Sequence, residues 1–310
     1  MIKRFAVIVG QSNEQGFGVI NDWTPSYGCP LKDPIGPNGS TKKSMWPYLS
    51  DLMGRRGTWL QVYNTAVGST SVAKSWCGQI RNWNSVDPVV RGQYALNAGG
   101  VWKCNRSAGT ASVPSTAPTG TADTTGADGI PWLYLGTPQT KDVDGYIYQD
   151  GDARFDPNGY FAATLTGLNA AQAFDEKWAF ISFGQTDRTC NTTRADFALA
   201  LSKASTYFTS RGVRVALGFT CYDAESGAEA YFQSQLLPGW GDALAALVGN
   251  ALVKTGANLR TALGVLTVTP ATGAGLQADT LHMNDAALTL ASEAWRDALV
   301  LAGWLVAKPA

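Results

Sequence analysis

The sequence predicts an α/β fold: a three-layer α/β/α sandwich around a mostly parallel five-stranded sheet, with a loop and β-hairpin insertion. Two observations carry this reading. Short apolar runs rich in β-branched and aromatic residues recur along the chain, as strands buried on both faces of a parallel sheet require. Segments with apolar residues at helical spacing lie between them, and such alternation implies right-handed crossovers that place helices on the sheet.

Phe5 to Val9 is the first strand and ends in the turn Gly10-Gln11-Ser12-Asn13. Met45 to Met53 has helical spacing through Trp46, Leu49, Leu52 and Met53, and stops at Gly54. Trp59 to Tyr63 is the second strand, followed by the turn Asn64 to Ser71. Gly159 to Phe174 reads as helix, Trp178 to Phe183 as the third strand, Thr193 to Tyr207 as helix and Val213 to Thr220 as the fourth strand. A helical stretch after Gly227, interrupted at Pro238-Gly239, leads to a fifth strand at Leu263 to Val268. An amphipathic helix from Ala286 to Leu301 closes the series.

Residues 78–156 break the alternation and read as an insertion in a single domain spanning 1–310, a length that open α/β folds reach. Residues 107–129 are small and turn-forming throughout, so they cannot bury enough surface to pack and read as a long loop. Residues 130–150, with aromatic positions around a Gly-containing turn, read as a β-hairpin.

The 24 Lys and Arg residues balance 24 Asp and Glu residues, leaving no electrostatic footprint for a nucleic acid or an anionic membrane. Charged residues make up only 15% of the chain, so the surface is built from small polar and aromatic groups that suit neutral polar ligands such as sugars. One histidine excludes any zinc site that needs two or three imidazoles, and imidazole chemistry must use His282. The five cysteines form no C-x-x-C pair; buried thiols and one or two disulfides both remain open. Phe5 to Val9 is too short for a signal-peptide core, and no stretch approaches the ~20 apolar residues of a membrane span.

In an open parallel sheet, ligands sit at the carboxyl ends of the strands. Gly10-Gln11-Ser12-Asn13 follows the first strand, Ala66-Val67-Gly68-Ser69-Thr70 the second, and Gly184-Gln185-Thr186-Asp187 the third. Asp279-Thr280-Leu281-His282 precedes the last helix. A serine on a strand-end turn, amide-bearing turns beside it and an Asp-x-x-His are the parts of a nucleophile, an oxyanion hole and a base with its orienter. Asp187-Arg188 reads as an ion pair.

These four blocks, in this order, resemble the SGNH (GDSL-like) hydrolase superfamily. Within it they resemble the sialate O-acetylesterase and acetylxylan esterase branch, whose first block begins Gly-Gln-Ser-Asn. The resemblance implies a flavodoxin-like fold, no metal or organic cofactor, and hydrolysis of a carboxylic ester, the acetyl group of an acetylated carbohydrate. It makes Ser12 the nucleophile, His282 the base and Asp279 its orienter. It draws the oxyanion hole from the Ser12 and Gly68 N–H groups and a side chain of the third block. That block departs from the usual Gly-x-Asn-Asp and from the branch's Gln-Gly-Glu-x-Asp/Asn. Gln185 is the choice because it has a terminal amide, with the Thr186 hydroxyl as the alternative.

Gln11 and Asn13 flank the nucleophile, and Trp76, Trp102 and Trp132 lie where aromatic platforms for sugar rings are expected. These five are the candidate substrate-binding residues. Two further readings stand beside the acetylesterase: a lipase or thioesterase of the same superfamily, against which no apolar lid-like segment adjoins the site, and a carbohydrate-binding or virion adhesion module without turnover. A bacteriophage tail esterase and a cytoplasmic or non-classically exported enzyme fit the composition equally.

Overall fold

The structure, a computed structural model, describes residues 2–11, 31–32, 44–106, 112–136, 142–147, 158–171, 173–220, 228–263 and 283–305. Its first sheet contains β1 (Ile2–Gly10), β2 (Leu31–Lys32), β3 (Thr58–Asn64), β9 (Glu176–Gly184), β10 (Arg214–Thr220) and β11 (Val253–Asn258). The order is β11-β10-β9-β1-β3-β2, and every pairing is parallel. The number of long parallel strands is five, as expected, with two-residue β2 added at one edge. The chain steps from β1 to β3 on one side, then crosses to β9 on the other, so the order reverses beside β1. At such a reversal the crossover connections diverge and leave a crevice at the carboxyl ends of the strands.

Alternation along β1 divides the interior in two. Phe5, Val7 and Val9 join one buried cluster with Phe161 and Leu168 of α2 (Tyr160–Ala170), Phe197 and Leu201 of α4 (Arg194–Thr209), and Trp240 of α6 (Leu237–Ala246). Ala6 and Ile8 join the other with Trp46 and Leu49 of α1 (Trp46–Gly54) and Leu288 and Trp295 of α8 (Asp285–Leu301). Helical residues therefore pack in both clusters. Polar caps set where the helices begin: the Thr193 side chain accepts from Asp196 N–H at 3.2 Å, and that of Asn284 from Ala287 N–H at 3.1 Å.

The fifth strand lies at Val253–Asn258, ten residues before the expected Leu263 to Val268. Leu263 instead ends the short helix α7 (Leu259–Leu263), and residues 264–268 lie outside the described residues. The sequence of β11, VKTGAN, carries little apolar signal because a tryptophan from α8 supplies the cover. A Cβ at Gly256 would come within 2.8 Å of both the Trp295 ring and Gly218 N, and one at Gly218 within 2.7 Å of the same ring. Two glycines make room for one indole.

The insertion builds a second sheet of β4 (Ile80–Asn82), β5 (Tyr94–Asn97), β6 (Gly100–Cys104), β7 (Thr124–Thr125) and β8 (Pro131–Tyr134), in the order β4-β5-β6-β8-β7. The expected hairpin over 130–150 is not what forms among the described residues. Pro131–Tyr134 pairs backward with β6 and β7, while Tyr146 makes an isolated bridge with Gln79. Residues 112–129 likewise do more than loop out. The Asp128 carboxylate accepts from the N–H groups of Ser115 (2.7 Å), Thr116 (3.2 Å) and Ile130 (3.0 Å). Small residues cannot supply a core, but their backbones can be tied to one carboxylate beside a core that Val89, Trp102, Ile130 and Trp132 provide.

Candidate active site

Strand pairing brings three of the four sequence blocks to one edge. Ile8 lies opposite Asn64 and Gly10 opposite Ser182, so β1, β3 and β9 end together. Beyond β3 the chain stays on β1: Thr65 donates to Ile8 O through N–H (3.1 Å) and Oγ1 (2.6 Å), and Val67 N–H donates to Gly10 O at 3.0 Å. The turn that follows contains buried Gly68 and holds Ser69 at φ 60°, in the left-handed region that a serine seldom occupies. This turn sits beside the carboxyl end of β1.

Gln11, expected to bind substrate, is fully buried and instead joins the first block to the third. Its Nε2 donates to Gln185 Oε1 at 3.1 Å, and its Oε1 accepts from Thr186 N–H at 3.0 Å. The pairing orients both amides, because Gln185 at the start of α3 (Gln185–Thr189) must present Oε1 to Gln11. Its Nε2, a donor, is the kind of atom an oxyanion hole uses.

Asp187, two residues further, does not behave as the expected partner of Arg188. Its carboxylate is buried and accepts from Ser71 Oγ (2.5 Å), Val72 N–H (3.2 Å) and Thr192 Oγ1 (3.2 Å). Ser71 in turn caps the π-helical turn Val72–Trp76, accepting from Lys74 N–H at 3.1 Å. Buried Lys74 sends its ammonium to the Cys190 carbonyl. Burial pushes the Asp187 carboxyl up, while the donors of Ser71, Val72, Thr192 and Ala73 pull it back, leaving it at about 6. The sequence reading passed over Ser71; a cap-type residue just ahead of a helical turn was the available signal.

No family model, no curated protein and no solved structure matches the chain.

Ser12, Asn13, Asp279 and His282 lie outside the described residues. Their described neighbours are Gln11, already at the edge, and Met283, which is buried beneath the start of α8. Trp304, just past the end of α8, packs on Trp178 near the start of β9, and Trp295 packs on Phe180 further along. The helix thus runs against the strands, and Met283 and Asn284 lie towards their carboxyl ends.

The three tryptophans expected as sugar platforms are core residues. Trp76 is 0% exposed and packs against Tyr160, Phe161 and Phe183; Trp102 and Trp132 are each 1% exposed inside the second sheet's cluster. A platform must offer a ring face to the ligand, and here packing consumes it. Of the five cysteines, Cys77, Cys104 and Cys190 are buried thiols outside any disulfide, and Cys29 and Cys221 lie outside the described residues.

Proposed function

We propose that the chain is a serine esterase that removes acetyl groups from carbohydrate, on a three-layer frame of the SGNH hydrolase type. The observation that carries the reading is the bridge from Gln11 to Gln185 and Thr186 beside the Gly68 turn, at the reversal of strand order. It draws together blocks that are 174 residues apart in the chain, and these are the blocks that the resemblance assigns to one oxyanion hole. The order of the five long strands, 2-1-3-4-5 in chain sequence, also agrees with a flavodoxin-like frame.

In this reading Ser12 Oγ attacks the acetyl carbonyl while His282 takes its proton, and Asp279 holds the imidazole in the tautomer that can accept it. The carbonyl electron pair moves onto oxygen, where the N–H groups of Ser12 and Gly68 and Nε2 of Gln185 stabilise the charge. Collapse expels the sugar oxygen, which receives the proton from His282, and leaves an acetyl-serine. Water then attacks with the same base and returns acetate and free Ser12. The sugar itself is met by the neutral, small-residue surface that the composition implies, without the three buried tryptophans.

The test is turnover of p-nitrophenyl acetate and acetate release from acetylated polysaccharides. Ser12→Ala and His282→Ala should each lower kcat by about 10⁴-fold or more with the circular dichroism unchanged. A His282→Ala variant within tenfold of the unmodified chain would end the proposal.

A further inference from the structure

The Gly68–Ser69 turn is held from both sides by bonds one to three residues away. Upstream, Val67 N–H is tied to Gly10 O at 3.0 Å, within the sheet framework. Downstream, Ser71 Oγ and Val72 N–H are tied to Asp187 at 2.5 and 3.2 Å. Between these anchors Ser69 stays at φ 60°, a conformation that persists only where its surroundings enforce it. On its other side Asp187 belongs to α3, two residues after Gln185, whose side chain is pinned by Gln11. One carboxylate therefore links the two segments that carry Gly68 and Gln185.

We infer that Asp187 is a positioning residue that clamps the Gly68–Ser69 turn to the start of α3 and so fixes the spacing of the two oxyanion donors. The inference rests on the esterase reading of this site. Asp187 never touches substrate; it acts through Ser71 and the first N–H group of the π-helical turn.

The chemistry of the group agrees with such a task. Three donors bond to it, the hydroxyls of Ser71 and Thr192 and the N–H group of Val72, and an ionised carboxylate is the acceptor-only group that satisfies all three. Among the described residues no cation forms an ion pair with it, and buried Lys74 sends its ammonium to Cys190 O. Burying an unpaired carboxylate is expensive, and a neutral side chain would fill the same volume at lower cost. An asparagine keeps that volume but turns an NH₂ towards donors, which loosens the clamp without opening a cavity.

The experiment compares Asp187→Asn, Ser71→Ala and the double variant at pH 8 on p-nitrophenyl acetate, with competent sites counted by titration of Ser12 with a phosphonyl fluoride. Asp187→Asn should lower kcat about 10²-fold with KM within threefold and the full number of competent sites, because the displaced donors matter to the charged intermediate and not to the neutral ester. Ser71→Ala should lower kcat about tenfold, and adding it to Asp187→Asn should cost nothing more, since both break one link. A folded Asp187→Asn with kcat within threefold of the unmodified chain, a loss explained by fewer competent sites, or additive losses in the double variant would overturn the clamp. Where Asp187→Asn does not fold, Ser71→Ala decides alone, and an unchanged kcat overturns it. The esterase reading fails by a different pattern: no labelling of Ser12 in the unmodified chain, or Ser12→Ala as active as that chain.

Discussion

The carboxyl edge of the first sheet and the interior of the second sheet bury polar atoms in opposite ways. At the edge, Gln11, Gln185, Ser71 and Asp187 are buried and every one is hydrogen-bonded to another segment of the chain. In the second sheet the indole N–H groups of Trp102 and Trp132 are buried with no hydrogen-bond partner among the described residues. An unmet buried donor costs about 1–3 kcal/mol, which a tryptophan tolerates because burying the rest of its ring contributes more. A glutamine or aspartate has no such reserve. Where the fold buries these groups, it must place partners within about 3 Å, and that requirement orients them. The edge is organised by direction, the second sheet by volume.

The largest effect this contrast predicts is in the second sheet. Trp132→Ala should lower stability to urea by about 3–5 kcal/mol, as removal of a buried indole does, while kcat/KM on p-nitrophenyl acetate in the folded fraction stays within a few-fold. Trp132→Phe should be much milder, since the N–H it removes had no partner. If Trp132→Ala instead left stability intact and selectively weakened action on an acetylated polysaccharide, the ring would be a ligand platform and the contrast would collapse.

At the edge, Gln185→Ala should cost ~10²–10³ in kcat, about 2.7–4 kcal/mol, with little change in KM. Thr186→Val should be mild, because the Thr186 group seen to bond Gln11 is its backbone N–H, which valine keeps. The reverse outcome would move the donor by one position and leave the clamp in place.

The smallest effect is a pH dependence. The folded chain holds the Asp187 proton up to about 6, against 3.8 for the ordinary carboxyl. Between these values the folded state binds more proton than the unfolded state, so this group's contribution to stability falls as pH rises from about 4 to above 6. At ~1.4 kcal/mol per pH unit the fall totals about 3 kcal/mol. Urea unfolding from pH 4 to 7 should show it as a difference between the unmodified chain and Asp187→Asn, other carboxylates being common to both. Parallel stability curves would mean that Asp187 titrates like an exposed acid.

Much of the frame is legible in the sequence. The runs Phe5 to Val9, Trp59 to Tyr63, Trp178 to Phe183 and Val213 to Thr220 lie within or overlap strands, because a strand covered on both faces must be apolar continuously. The helix expected from Ala286 begins at Asp285, where Asn284 caps it. The fifth strand escaped because glycine and a distant tryptophan share the work that apolar side chains do elsewhere. The second sheet escaped because its strands run two to five residues, too short for alternation to register, and because β6 pairs with β8 across the intervening β7.

At the site the division is the same. That polar, turn-forming residues follow three strands was visible along the chain, since local chemistry declares a turn without reference to what lies opposite it. What each polar side chain faces was decided only by folding. Gln11 and Trp76 stood on equal terms as candidates for substrate, yet one proved a bridge to Gln185 and the other a core residue beside Phe183. Asp187 found its partners at Ser71 and Val72, more than a hundred residues back, in place of the arginine next to it. Sequence alone determined which segments could be strands and which residue types stood at their ends, because periodicity and turn chemistry are short-range. Burial and hydrogen-bond direction depend on strand order and register, and these exist only once β1 lies between β3 and β9.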